Sequence, residues 1–315
     1  MSDRYLGGEP LAEVVRSGFV ESRHSGSIVV LDADGEVTAW AGDVLGPVFP
    51  RSSNKPMQAV GMLAAGLVAA PAELAIISAS HRGQPVHLDA VRGVLGPLPA
   101  TALGCPPDYP LSEDARDDLV RAGASRQPLF MNCSGKHAGM LRTCAANGWP
   151  LAGYLDPAHP VQVAIRHGVE SLAGEPAAAV GVDGCGAPLL AVSLRGLAAA
   201  FLRLVSAAPG AAERRVADAM RAHPDLVSGT DADGHDTHLM RAFPGLLSKV
   251  GAEGIMAVAV PGVGAVALKI DDGSARPRLP VLGAGLSRLG FSLGKYADMP
   301  VLGGGSRVGS VRAVW

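Results

Sequence analysis

Aromatic side chains are scarce in this sequence, 4% of 315 residues, and the formal net charge is only −2. A nucleic-acid binder needs a basic surface and rings on which bases can stack, so that class is set aside. Charge is sparse as well: 18% of residues are charged against 48% hydrophobic, a balance that buries a core and excludes a disordered chain. The length suits one large domain or two lobes. No run approaches the roughly 18 uninterrupted apolar residues of a membrane helix. "LAAGLVAAPAELAII" is broken by Pro71 and Glu73. The opening "MSDRYLGGEPLAEVVRSGF" has no basic start followed by an apolar run, so no secretory signal is expected. Four cysteines are too few for a disulfide scaffold at this length, and the expected setting is cytoplasmic with reduced thiols.

Lysine is the rarest charged residue. Only five of the 27 basic residues are lysines: Lys55, Lys136, Lys249, Lys269 and Lys295. Arginine replaces lysine at most surface positions but cannot give up its proton near neutral pH. Where a sequence has moved so far towards arginine, a lysine that remains is a candidate for amine chemistry.

What is present alternates between extended and helical patterns. "SIVVLDADGEVTAWAGD" (27–43) is an apolar run, an Asp-Gly turn and a second extended run, hence a β-hairpin. A helix is expected from about Lys55, then a buried strand in "AELAIISASHRGQP" ending at Ser78-Ala79-Ser80-His81. "PVHLDAVRGVLG" and "SEDARDDLVRAGA" have helical spacing, the second opening on Ser112 with acids in its first turn. "LFMNCSGKHAGMLRTCAANGW" places a loop at Asn132 to Gly135 ahead of a helix closed by Asn147-Gly148. Another helix follows in "HPVQVAIRHGVESLAG", and a Gly-rich turn interrupts "AAVGVDGCGAPLLAVSL". Residues 193–222 are expected to be helical, "IMAVAVPGVGAVALKIDDGSARP" a second strand pair, 281–293 a helix, and the Gly-rich tail a last strand. The pattern predicts a mixed α/β (α+β) fold. Residues 1–315 would form one domain of two lobes, a sheet from N- and C-terminal strands beside a helical lobe.

Four short elements carry chemistry, and each also has a plain structural explanation. In "FPRSSNKPMQAVG", Ser52 stands three residues before Lys55, either as a helix start or as a hydroxyl beside an amine. A lysine acts as a base only after burial or neighbouring positive charge lowers its pKa. Ser80-His81 places a hydroxyl and an imidazole at an element end, or merely a cap and a satisfied core histidine. Lys249, in "GLLSKVGAEG", is a second amine, or a helix-end cation. "NCSGKHAGM" gathers a thiol, a hydroxyl, an amine and an imidazole at a helix N-terminus; its Cys133, like Cys144, also suits a small buried apolar residue. "VGVDGCGAP" has no G-x-G-x-x-G spacing, and no Gly-rich stretch is followed by the Lys-Ser/Thr of a phosphate loop.

The order and separation of "RSSNKPMQ", "SASHRGQPVH", "NCSGKHAGML" and "GVDGCGAP", followed by "KVGAEG" and "ALKIDDG", resemble the asparaginase II family, the rhizobial type. The resemblance runs from about "VESRHSG" to the C-terminus. It implies hydrolysis of L-asparagine to aspartate and ammonia in a fold like that of serine β-lactamases and penicillin-binding enzymes. It further implies two Ser–Lys pairs meeting at one site, Ser52 with Lys55 and Ser80 with Lys249. It places Arg51, His137 and Asp183 near the substrate, and a zinc ion on Cys133, Lys136 and Cys185. One departure stands out: many members carry Glu four residues after the serine of the Ser-His element, where this chain has Gln84. Rival readings are another Ser–Lys amidohydrolase (glutaminase, β-lactamase or peptidase) and a non-catalytic zinc or amino-acid binding protein. No Ser-Asp-Asn or Lys-Thr-Gly element supports the β-lactam reading. A small-molecule substrate is the expected partner, with a homodimer left open.

Overall fold

The computed structural model describes residues 4–315. The chain opens with strands β1 (Glu9–Arg16), β2 (Phe19–Asp32), β3 (Val37–Ala41) and β4 (Pro47–Val48). Helices α1 (Lys55–Ala64), α2 (Pro71–Ile77), α3 (Pro85–Leu95), α4 (Glu113–Arg121), α5 (Ser134–Ala146) and α6 (Pro160–Ala173) follow. Next come β5 (Ala179–Val182), β6 (Pro188–Ser193), α7 (Leu194–Ser206), α8 (Ala212–Ala222), α9 (Pro224–Ser228) and α10 (His235–Ala242). The chain closes with β7 (Leu247–Val250), β8 (Ile255–Val260), β9 (Gly264–Ile270), α11 (Arg278–Ser287), β10 (Met299–Gly303) and β11 (Ser306–Ala313).

The main sheet joins both ends of the chain in the order β10-β11-β1-β2-β9-β8-β7, with β3 also on β2. Every pairing is antiparallel. The Asp-Gly hairpin expected at 27–43 is the β2–β3 pair, in which Val29 faces Trp40. β8, "IMAVAV", is buried at all its residues, as a strand covered on both faces must be. Helices α7 and α11 pack on these central strands. A three-stranded sheet, β4-β6-β5, sits apart.

The helical region is the mixed α/β counterpart that the sequence pattern predicts. Its close crossings depend on glycine: a Cβ on Gly168 of α6 would lie 2.7 Å from the Gly61 Cα of α1. A Cβ on Gly135 of α5 would lie 2.2 Å from the Ile76 carbonyl oxygen of α2. The second crossing brings "NCSGKHAGM" against the end of α2, beside Ser80.

One expected element is of the wrong type. "AELAIISAS" is helix α2 to Ile77 and then an irregular segment, not a strand. Pro71 occupies the first turn, and the Glu73 carboxylate accepts a hydrogen bond from the Ala70 N–H at 2.8 Å, fixing a helix start. The helical stretch 193–222 is two helices, α7 and α8, parted at Pro209-Gly210, and the helix expected at 281–293 runs over Arg278–Ser287. Among the described residues, no helix is long and apolar enough to cross a membrane.

Candidate active site

Three of the five lysines are buried: Lys55 at 1% exposure, Lys136 at 2% and Lys249 at 0%. An unpaired ammonium is not sustained in a protein interior, so their partners define the site.

The first amine follows a strained turn. Arg51 has φ 50, a left-handed backbone that costs a non-glycine residue about 1–2 kcal/mol. From there a single 3-10 turn, Arg51–Asn54, leads into α1. Ser52 is not a cap: the N-cap of α1 is Asn54, without a side-chain cap bond. Ser52 is half-buried, and among the described residues its hydroxyl has no hydrogen-bond partner. The Lys55 Nζ donates instead to the Ala79 carbonyl at 2.5 Å and the Ser80 Oγ at 3.1 Å. The amine on α1 thus meets the hydroxyl that follows α2.

Lys249 lies on β7, so it is not a helix-end cation, and no hydrogen bond joins it to Ser80. Its Nζ donates to the Asp236 Oδ2 at 3.2 Å and to the Val250 carbonyl at 3.0 Å. Asp236, in the first turn of α10, is fully buried; it also accepts from the Ser248 hydroxyl at 2.7 Å and the Val250 N–H at 3.0 Å. Burial, the larger effect, lowers the Lys249 pKa, with Asp236 opposing and the Lys55 charge adding to the fall. Removing one partner of such a pair strands a buried charge, at a cost of about 3–5 kcal/mol. Asp236 was not singled out from the sequence; its only signal there is a carboxylate opening a helix.

His81 is a satisfied core histidine. Ser134 donates to the Leu129 carbonyl at 2.9 Å, so its oxygen accepts from the His81 Nε2–H at 2.8 Å, and the Gly83 N–H donates to Nδ1 at 3.2 Å. Gln84, at the departure from the family pattern, donates from Nε2 to the Thr230 hydroxyl at 3.3 Å. It ties the neighbouring loop and brings no carboxylate.

Cys133, Lys136 and His137 enter from the start of α5, and Cys185 and Asp183 from the turn between β5 and β6. The Lys136 Nζ donates to the Cys185 Sγ at 3.3 Å. A hydrogen bond from Cys185 holds the Cys133 thiol well below its usual pKa against the opposing effect of burial, with Lys55 and Lys136 assisting; Cys185 is raised in turn. Burial works against the Lys136 ammonium, but Cys185, Cys133 and Asp183 outweigh it and hold its pKa raised. At the outer edge, the Arg51 Nε donates to the Asp183 Oδ1 at 2.9 Å, and Glu253 lies 3.8 Å from the same guanidinium. Burial raises the Asp183 pKa, but Lys136, Gly184 and Arg51 more than offset it, so the carboxylate stays ionised.

These residues fit a soft divalent metal. Two thiols and an amine converge, and all three are buried. Among the described residues, no group of three or more His, Cys, Asp or Glu side chains gathers to hold a metal ion, so the set reaches three donors only through Lys136.

Residues 12–313 match the L-asparaginase II family. The protein belongs to that family. No curated relative matches it. Several solved structures are similar to it at low identity. One is Mglu in its native form, at 15% identity over 85% of this chain and 66% of that one, with a TM-score of 0.43. This chain therefore spans just under two thirds of that Mglu chain. A putative β-lactamase from Bacteroides dorei DSM 17855 gives 15% identity over 84% of this chain and 93% of that chain, with a TM-score of 0.47. The Bacillus subtilis glutaminase YbgJ, in covalent complex with 5-oxo-L-norleucine, gives 13% identity over 90% and 93%, with a TM-score of 0.39.

Proposed function

We propose that the protein hydrolyses L-asparagine to L-aspartate and ammonia, with Ser80 as nucleophile and Lys55 as its base. The observation that carries this reading is the buried Lys55 Nζ held 3.1 Å from the Ser80 Oγ. A nucleophile and its base in hydrogen-bond reach are the first requirement of acyl transfer. Lys55 takes the Ser80 proton as the oxygen attacks the side-chain carbonyl carbon. The tetrahedral adduct collapses with cleavage of the C–N bond, and the Lys55 ammonium returns that proton to the departing nitrogen, releasing ammonia. Water, deprotonated by the same amine, cleaves the aspartyl ester and frees Ser80. The Ser52 hydroxyl, three residues before Lys55 in the chain, relays protons or donates to the adduct oxygen. Arg51 and Asp183 provide a cation for the substrate α-carboxylate and an anion for its α-ammonium. Lys249, ion-paired with Asp236, lies near enough to Lys55 for the two amines to interact electrostatically. The helical lobe contributes α1 and α5, the sheet contributes β7, and both serve one cleft of a single domain.

Zinc is the proposed metal, held by Cys133, Lys136 and Cys185; bound there, it would polarise a substrate oxygen as a Lewis acid. Elemental analysis of protein prepared without chelator is expected to show about one zinc per chain, lost in Cys185→Ser. Lys136 must shed its proton to bind, and the surrounding thiols and Asp183 hold that proton firmly. Affinity therefore falls as pH drops. Metal-free protein at neutral pH would contradict the assignment. The functional reading itself is tested by which amide the protein cleaves, with asparagine expected, and glutamine and nitrocefin as the rivals.

A further inference from the structure

We infer that Tyr154 is a positioning residue that fixes His137 in its Nε2–H tautomer and so presents a neutral hydrogen-bond donor to a substrate oxygen. The role of that donor rests on the reading of the site just given; the tautomer does not.

His137 stands in the first turn of α5 and is fully buried. Its Nδ1 lies 2.7 Å from the Tyr154 hydroxyl. The same hydroxyl accepts the Gly104 N–H at 2.8 Å. A phenol has one proton to give. With Gly104 already donating to the oxygen, that proton goes to the one acceptor beside it, Nδ1. Were Nδ1 protonated, the phenol oxygen would face two N–H groups while its own proton lacked an acceptor, an arrangement buried polar groups avoid. The ring proton is therefore on Nε2.

Tyr154 is well placed to impose this. Its ring stands edge-on to the imidazole at 84°, with centroids 5.8 Å apart, and its carbonyl accepts from the Gln162 Nε2 at 2.8 Å, which ties it to α6. Burial raises its phenol pKa, so the proton it donates is retained.

At the far end of the ring, Nε2 is buried and, among the described residues, has no hydrogen-bond partner. Lys55 and Lys136 lie near enough for their charges to act on the ring. Neither lysine Nζ makes a hydrogen bond to that nitrogen. A metal does not take that nitrogen either, since His137 and the two nearby thiols form no metal-holding group among the described residues. What completes an orphan N–H beside Lys55 is an oxygen brought by the ligand, the amide or carboxylate oxygen of an amino-acid amide.

The full-length protein labelled with 15N tests this by long-range 1H–15N spectra, with the His137 signals identified by their loss in His137→Gln. The expected wild-type pattern at neutral pH is a protonated Nε2 and an acceptor Nδ1, with the Nε2–H resonance moving as L-aspartate is added. In Tyr154→Phe, the Nδ1 resonance should move towards that of a free acceptor nitrogen. kcat/KM for asparagine should fall about tenfold, the scale of one neutral hydrogen bond. A proton on Nδ1 in the wild type, an Nε2–H resonance unmoved by saturating L-aspartate, or wild-type catalysis in Tyr154→Phe would overturn the inference. If the variant fails to fold, the wild-type spectra decide. If asparagine is not hydrolysed, the substrate assignment falls, while the tautomer still tests the role of Tyr154.

Discussion

Lys55→Arg is expected to lower kcat for L-asparagine by about a thousandfold while the protein remains folded, the middle of the range that a positioned base supplies. The Lys55 side chain is enclosed, with its Nζ committed to the Ala79 carbonyl and the Ser80 Oγ. Arginine keeps the charge and can still bond that carbonyl, so the local structure retains a cation. It cannot accept the serine proton, because its pKa stays above 12. Steady-state ammonia release, alongside a circular dichroism spectrum and thermal melt, separates loss of the base from loss of the fold. A folded variant with a tenth or more of wild-type turnover would remove Lys55 from the proton-transfer role.

The serines should fail unequally and not additively. Ser80→Ala removes the hydroxyl in contact with Lys55 and is expected to cost about ten-thousandfold in kcat, the scale of losing a nucleophile from a working unit. Ser52→Ala removes a hydroxyl with no protein partner, and about a hundredfold is expected for a relay or an adduct donor. The double variant should be no slower than Ser80→Ala, since groups acting as a unit lose nearly everything at the first removal. Multiplicative losses would give the two serines independent roles, and a Ser52→Ala enzyme slower than Ser80→Ala would exchange those roles.

Much of this site was legible in the sequence because its chemistry sits in contiguous segments. "NCSGKHAGM" declares a helix N-terminus, and Cys133, Lys136 and His137 are found there. The turn in "GVDGCGAP" brings Asp183 and Cys185 to the same place. Hairpins were readable where an Asp-Gly turn or a short apolar pair marks them, as in β2–β3 and β8–β9. The α2 segment was misread because Ile76 and Ile77 suit a strand, and a short apolar run has no period to arbitrate. Pro71 and Glu73 were the local signals that decide it. β1 and the first half of β2 show no continuous apolar run, because charged and polar residues interrupt them.

Pairings across the fold were not legible. The resemblance joined Ser52 with Lys55 and Ser80 with Lys249, but the structure hydrogen-bonds Lys55 to Ser80 and Lys249 to Asp236. Asp236 and Tyr154 lie in no motif. Asp236 is identified by a buried carboxylate ringed with donors, and Tyr154 by the nitrogen it orients. Both facts depend on the packing of α10 against β7 and of the 154 loop against α5, which spacing along the chain does not encode.

The central claim is that the Ser80–Lys55 pair is set for the amide of asparagine. It is tested most directly by ammonia release from L-asparagine and L-glutamine at equal concentrations, with nitrocefin hydrolysis as a third arm. The extra methylene of glutamine carries its amide past a hydroxyl placed for the shorter chain, and a misplacement of about 1 Å costs roughly a hundredfold. Asparagine is expected to be favoured by at least about that factor in kcat/KM, with no turnover of nitrocefin. Equal rates on the two amides, or hydrolysis of nitrocefin without release of ammonia from asparagine, would contradict it.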